Sequence, residues 1–584
     1  METIKVLKKS IRDYKLPSII TPVFIIGEVV LETLIPMIMA RLIDEISAGV
    51  SMQPIIKYGL ILLAMALASL FCGFVAGKFA AEASCGFAKN LRHDLYYKVQ
   101  DFSFADIDRF STSSLVTRLT TDVTNVQNSY QMIIRIAIRT PMLLIFSFVF
   151  SFRISWKISL IFLAAMPVIG VALFIMMKVV MPFFRKIFRK YDNMNESVQE
   201  NVQAIRVVKS FVREEHEKEK FDKVSSSVKK DFTKAERILA LCWPIMMICI
   251  YTVISFIVFY GSKTIITTNS TGLTTGDLSA LINYAIQALM SMMMLSMVIV
   301  MITMSAESAN RIKEVLVTEP SLKNPENGIK TVDNGDITFE NVSFKYSEKA
   351  EKNALENIDL SIKSGETIGI LGGTGSSKTT LVQLIPRLYD VSEGRLLVGD
   401  RDVRDYDLET LRDAVSMVLQ KNVLFSGTIK ENIRWGNKDA SDEEIERVCR
   451  LACADDFIES FPDKYDTYIE QGGTNVSGGQ KQRLCIARAL IKKPKILILD
   501  DSTSAVDTKT DAKIRKAFRE EIPDTTKIII AQRVASVEDA DKIIVMDGGR
   551  IADAGTHDEL MERCEEYRSV YESQTRRTEG GDVQ

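Results

Sequence analysis

A chain of 584 residues is too long for a single hydrophobic core, so at least two domains are expected. Its formal net charge of −2 lacks the basic excess of a nucleic-acid binder, and no nucleic-acid partner is expected. The composition shifts along the chain: roughly the first 310 residues carry long apolar runs, and the remainder has the balance of a soluble protein.

The amino terminus, METIKVLKKSIRDYKLPS, is cationic but has no small-residue cleavage site after a short apolar core, so it reads as an interfacial helix leading into a membrane. Six stretches then meet the length and polarity criteria for membrane spans: Leu16–Leu42, Ile55–Phe79, Met132–Phe152, Ile158–Phe184, Ile238–Tyr260 and Leu278–Met304. An even number places both ends on one side. The connection DEISAGVSMQP has no Lys or Arg, whereas the segment after the fourth span is densely basic, so both termini are expected in the cytoplasm. The short connection RISWK, Arg153–Lys157, then falls outside and runs against that rule. The two cytoplasmic connections, near Ala81–Gln131 and Arg185–Arg237, are charged, free of proline and apolar at helical spacing. They read as membrane helices that continue into the cytoplasm and return, with tips near Asp108–Leu119 and Ala204–Glu215.

Charged residues inside spans are costly and therefore informative. Glu28 and Glu32 lie one turn apart in the first span, and Arg135 and Arg139 repeat the spacing in the third. A hydrated cavity wall and a helix-to-helix ion pair that orders the bundle both account for them. The sixth span carries ALMSMMMLSMVIVMITM, whose flexible, polarizable side chains suit either ordinary packing or a surface for varied apolar ligands. The eight cysteines, Cys72, Cys85, Cys242, Cys249, Cys449, Cys453, Cys485 and Cys564, are scattered without CxxC spacing, which argues against a disulfide framework or a metal site. Cys449 and Cys453 are expected as two small residues on one helix face.

Beyond a polar connector, TEPSLKNPENGIKTVDNGD, short apolar strands alternate with helices, the pattern of an α/β domain. Within it, TIGILGGTGSSKTTLVQLI passes from an apolar strand through a glycine-rich turn to a helix opening on Lys378 and Thr379. Gly372, Gly373, Thr374, Gly375, Ser376, Ser377, Lys378, Thr379 and Thr380 supply what a phosphate cradle needs: inward N–H groups, a helix amino terminus, a lysine, and a hydroxyl for Mg²⁺. The pattern places glycine where this chain has Ser377, which is compatible with the cradle if that residue takes helical backbone angles.

Downstream, VSGGQKQRLCIARAL (Val476–Leu490) and ILILDDSTSAVD (Ile496–Asp507) resemble the signature and Walker B segments of ATP-binding cassette transporters. The resemblance covers essentially the whole chain. It implies a half-transporter of the exporter type: an all-α polytopic membrane domain over residues 1–316, a linker over 317–334, an α/β P-loop cassette over 335–578, and a tail over 579–584. The family's roles then fall on matching positions. Tyr346 is similar to the aromatic that stacks on adenine, Lys378 would contact the β- and γ-phosphates of ATP, and Thr379 and Asp500 would serve Mg²⁺. Gln420 is similar to the glutamine that senses Mg²⁺ and the γ-phosphate. Ser477, Gly478, Gly479 and Gln480 would cap the nucleotide of the opposite chain, with Asp507 facing that chain.

Two positions depart from the family together. Asp501 stands where a catalytic glutamate is expected, and Gln532, in IIIAQRVAS, stands at the switch histidine. Removing one methylene withdraws the carboxylate by roughly an ångström, a misplacement that can cost about a hundredfold in rate. Glutamine can hydrogen-bond but cannot carry the imidazole's charge. An intact VSGGQ beside a weakened Walker B and switch implies a heterodimer with one competent and one slow site, its partner bringing the glutamate, the histidine and a departed signature. Alternating access would then export amphipathic or hydrophobic compounds across the bilayer. A dedicated lipid or peptide exporter, and an ATP-gated sensor that transports nothing, are the alternative expectations.

Overall fold

The computed structural model describes residues 2–49, 52–268, 272–348, 350–501 and 506–579. The chain forms two compact units, one of residues 1–100 with 112–318 and one of residues 101–111 with 319–584.

In the first unit, five helical stretches are long and apolar enough to cross a membrane: Glu2–Ser47, Met52–Gln100, Thr112–Ile154, Glu214–Thr267 and Thr275–Val317. Of the six expected spans, Ile158–Phe184 is not among these. It lies on the helix Trp156–Gln203, where the described apolar stretch Trp156–Ala172 is shorter than the roughly 20 residues a bilayer requires, and several of its remaining side chains lie outside the described set. The helix Met52–Gln100 has 49 residues, about 73 Å at the α-helical rise, more than twice the roughly 30 Å hydrocarbon core. Its outer half exposes Leu60, Leu63, Leu67, Phe71 and Phe74, a face suited to lipid. Its inner half buries Ala76, Ala80, Ala83 and Ala88, small residues that permit close helix packing.

The first helix, Lys15–Ser47, contains Pro22 and Pro36. Any side chain at Gly276 would push it away from the helix Thr275–Val317: a Cβ there would lie 2.0 Å from the carbonyl oxygen of Ala40, and the Gly276 N–H donates to Asp44 at 2.8 Å. Tyr284, fully buried, donates to the Thr33 carbonyl at 2.7 Å. The amino-terminal segment is tied down by polar bonds, Ser10 to Asp94 at 2.7 Å and Thr3 to Asn310 at 2.9 Å, and the chain bends at Arg12 with φ 42°. The connection at 153–157 is a single extended residue, Ser155, between two helices. The second tip falls at Ala204, followed by the short helix Ile205–Ser210.

The second unit is built on a six-stranded sheet in the order Arg550–Gly555, Lys542–Asp547, Thr367–Gly372, Thr526–Ile530, Ile496–Asp500 and Val415–Val418. All neighbours are parallel except the first pair. Strand Ile496–Asp500 sends Ile496 and Ile498 into one hydrophobic cluster and Leu497 and Leu499 into the other, so both faces are covered, as a continuous apolar run requires. A smaller antiparallel sheet includes Ile337–Phe344 and Leu355–Ile362. Cys449 is buried on the helix Asp442–Leu451, but Cys453 lies beyond its end at φ 50°, so the two do not share a helix face.

The first tip also belongs to this unit, and it comes earlier than Asp108–Leu119. The chain leaves the long helix at Gln100, forms the short helix Phe104–Phe110, and turns at Ser111 with φ 57°. Ser103 and Asp106 make a capping box, and the Asp106 carboxylate also accepts the Ser321 N–H at 3.0 Å. Tyr389 donates to Asp108 at 2.8 Å, Phe104 packs by its ring, and Ala105 joins the hydrophobic cluster. Burial raises the Asp106 pKa, but the bonds from Ser321 and Ser103 outweigh it and hold the carboxyl below its ordinary value. This contribution is present above the ordinary carboxylate range and is lost as pH falls through the depressed value. Asp106→Ala removes the box and the Ser321 bonds, about 1 kcal/mol, and is expected to raise amide exchange across 104–110 about fivefold; unchanged exchange would show that the tip is held by other contacts.

Candidate functional site

The site is assembled at the carboxyl ends of three adjacent parallel strands, the place where an open α/β sheet leaves a crevice. Thr367–Gly372 feeds the glycine-rich turn, Ile496–Asp500 ends on the paired aspartates, and Thr526–Ile530 leads to Gln532. Ile530 pairs with Asp500 in register, which sets the next residues of the two strands side by side.

At Gly372, φ is 154° and a Cβ would lie 2.2 Å from the Met546 carbonyl oxygen, so only glycine fits where strand turns to loop. Lys378 folds back over the loop: its ammonium donates to the carbonyls of Gly372 and Gly373, both at 2.8 Å, and to the Ser376 hydroxyl at 3.2 Å. Burial lowers its pKa, against the pull of Asp500 and Asp501. Ser377 does not take right-handed helical angles. Its φ of 68° and ψ of 25° are left-handed, the conformation for which the phosphate-loop pattern keeps glycine.

Thr379 donates to Asp500 at 3.1 Å, and Thr380 shares a 2.8 Å hydrogen bond with the Tyr346 hydroxyl. Asp500 is buried with its other oxygen, Oδ2, lacking a partner, and burial raises its pKa. An orphaned carboxylate oxygen beside a threonine hydroxyl fits a divalent cation. Tyr346 is half-exposed, its ring edge-on to Phe344 and to Tyr389, with centroids 5.0 and 5.3 Å away.

The two departed positions meet. Gln532 Nε2 donates to Asp501 Oδ2 at 2.7 Å, and Gln420 also hydrogen-bonds the Asp501 carboxylate. Burial raises the Asp501 pKa, while the two amides oppose the shift. Asp501 itself sits at φ 49°. The following residues, 502–505, lie outside the described residues.

Within this chain no hydrogen bond or ion pair among the described residues joins Ser477, Gly478, Gly479 or Gln480 to that cluster. The Ser477 N–H instead donates to Gln480 at 2.8 Å, and the Ser477 hydroxyl accepts the Gln480 N–H, capping the helix Gly478–Leu490. Asp507 caps the helix Thr508–Glu521, accepting the Thr510 N–H at 2.9 Å, the bond that leads in lowering its pKa. Two contributors carry no sequence signal. Gln574 donates to the Gln532 carbonyl at 2.8 Å and accepts the Val534 N–H at 2.9 Å, clamping the switch backbone from the carboxyl-terminal helix. Tyr389 joins the tip helix to the Tyr346 aromatic group.

Residues 18–304 match the family described as ABC transporter transmembrane region, and residues 355–504 match the ABC transporter family. The uncharacterized ABC transporter ATP-binding protein YfiB of Bacillus subtilis is 36% identical over 564 residues, 97% of each chain. YgaD of the same organism, named provisionally as a multidrug export ATP-binding/permease protein, is 36% identical over 64% of each chain. The solved structure of a bacterial Atm1-family ABC exporter with ATP bound superposes with a TM-score of 0.81 at 23% identity, covering 96% of this chain and 98% of that one.

Ser377→Gly relieves a left-handed Cβ that costs about 1–2 kcal/mol, against about 0.5–1 kcal/mol of added chain entropy. The expected net gain raises the unfolding midpoint of the nucleotide-free protein by about 1–3 °C; a lowered midpoint would show that the Ser377 side chain contributes more than its backbone costs.

Proposed function

This chain belongs to the ATP-binding cassette transporters, a membrane-spanning family that couples ATP to transport, and we propose that it is one half of a heterodimeric exporter whose own Walker site hydrolyses ATP slowly. The observation that carries this reading is the Gln532 to Asp501 hydrogen bond. A base for the attacking water must present a free carboxylate oxygen at the right reach. Asp501 is a methylene shorter than the family's glutamate, and its Oδ2 already accepts the amide that replaces the switch histidine. Burial strengthens Asp501 as a proton acceptor, but the bonds from Gln420 and Gln532 counteract this.

Nucleotide binding does not suffer in the same way. Lys378, Thr379 and the glycine-rich turn retain the groups that hold phosphates, and Tyr346 presents an open aromatic face for adenine. Thr379, Gln420 and Asp500 are the residues that would hold Mg²⁺, which when bound neutralises phosphate charge. ATP therefore binds and persists here. The intact Ser477–Gln480 segment completes the partner's site, where the partner supplies the glutamate and histidine and carries a departed signature. ATP-driven closure of the two cassettes passes through Gln420 and the helical tips and turns the membrane cavity outward. Both termini and the cassette are cytoplasmic, and the cargo is an amphipathic or hydrophobic compound taken from the bilayer. The paired substitution would equally suit an ATP-gated regulatory subunit, which substrate-dependent uptake into vesicles with the natural partner separates from a pump. Stable dimers of this chain alone with full ATPase activity independent of Asp501 would sink the heterodimer reading.

Two outcomes follow for the site. Lys378→Ala is expected to weaken ATP binding to this chain about tenfold or more, read by titration with a fluorescent nucleotide; unchanged occupancy would remove Lys378 from the phosphate site. Asp501→Glu alone is expected to raise hydrolysis less than about tenfold, and together with Gln532→His by up to about a hundredfold. Full recovery from the single change would show that the switch position is immaterial.

A further inference from the structure

The helices Lys15–Ser47, Val123–Ile154 and Thr275–Val317 enclose a cavity of about 260 Å³. Its charged lining is Glu28, Arg135 and Arg139, its hydroxyls are Thr140 and Ser291, and Leu143 and Met294 supply apolar wall. Most of the polar groups are already engaged. The Arg139 guanidinium lies 2.7 Å from Glu32 and 3.6 Å from Glu28, so two carboxylates share one cation. Thr140 and Ser291 donate to the carbonyls of Ile136 and Gln287 within their own helices. The second oxygen of Glu28 is buried and has no hydrogen-bond partner. Arg135, one turn before Arg139, is exposed and makes no hydrogen bond or ion pair with any described residue.

Among the charged groups of the lining, Arg135 is the one that is both exposed and without a partner among the described residues, and it lies beside apolar surface. A cationic ligand would meet Arg135 as a like charge, with Glu32 bonded to Arg139 and the Glu28 carboxylate buried behind it. An acidic group would take two parallel N–H donors from the planar guanidinium. A hydrocarbon chain attached to it would lie along Leu143 and half-exposed Met294, whose flexible thioether adapts to varied shapes.

We propose that this cavity binds an amphipath with an anionic head group, carboxylate or phosphate, held by Arg135. The proposal rests on the exporter reading and gives it a cargo class. A bilayer phospholipid and a soluble fatty-acid-like compound share this chemistry.

The test uses the complex of this chain with its co-purifying partner in phosphatidylcholine nanodiscs, titrated with a fluorescent dodecanoate and the matching fluorescent dodecylamine. The carboxylate is expected to bind roughly tenfold more tightly than the amine. Arg135→Gln is expected to abolish that preference and Arg135→Lys to keep most of it. Including phosphatidylglycerol displaces the carboxylate probe if the occupant is a bilayer lipid and leaves it bound if the occupant is soluble; either result supports an anion site. Equal binding of both probes by the unaltered complex, which requires no variant to fold, overturns it, as does a preference that survives Arg135→Gln. ATP-dependent uptake of both probes without acid preference would leave the exporter reading standing and remove the anion site. Acid-selective binding without ATP-dependent movement would do the reverse.

Discussion

The hydrogen bond from Gln532 to Asp501 is the contact on which the proposed slow hydrolysis rests. It exists because two neighbouring parallel strands end in register, Ile530 beside Asp500, so the residues that follow them project toward each other. In the family pattern these positions hold a long acid and an imidazole. Here they hold a short acid and an amide, which complement each other and close on themselves. Gln574 holds the switch backbone just after that contact, through the Gln532 carbonyl and the Val534 N–H. On the proposed reading, such a site holds phosphates through Lys378 and the glycine-rich turn and turns ATP over slowly.

Within the second unit, a chain of aromatic and hydroxyl contacts connects the nucleotide site to the helical tip. The tip helix Phe104–Phe110 is fastened by Asp106 to Ser321 and by Asp108 to Tyr389, and the Tyr389 ring packs against Tyr346. Tyr346 in turn bonds Thr380, at the start of the phosphate-binding helix. An adenine stacked on Tyr346 would therefore touch a group that is one aromatic contact from Tyr389, which bonds the tip helix Phe104–Phe110. Packed aromatic groups transmit small displacements because interiors are close to incompressible.

Much of this was legible in the sequence. Long apolar runs and the asymmetry of Lys and Arg pointed to membrane helices with extensions, and the strand, glycine-rich turn and lysine pointed to a phosphate cradle. Asp501 and Gln532 stood out because each departs from a pattern, although their mutual bond depends on strand register. Other features were hidden for physical reasons. The left-handed backbone of Ser377 depends on loop closure and not on residue type. Gln574 and Tyr389 act across 42 and 281 residues of chain, and neither lies in a motif. The spacing of Glu28, Glu32, Arg135 and Arg139 marked them as meaningful but left open an ion pair or a cavity wall. Both descriptions apply, since Arg139 pairs with the acids and Arg135 faces the cavity.

On the proposed reading, this chain retains ATP while its partner turns it over. The most direct test is to incubate the purified heterodimer with a photoreactive ATP labelled on both the α- and γ-phosphates, cross-link at intervals, and separate the two chains. Retention of the γ-label on this chain through many turnovers, with rapid loss from the partner, is the result predicted. Loss of the γ-label from both chains at the same rate would contradict it.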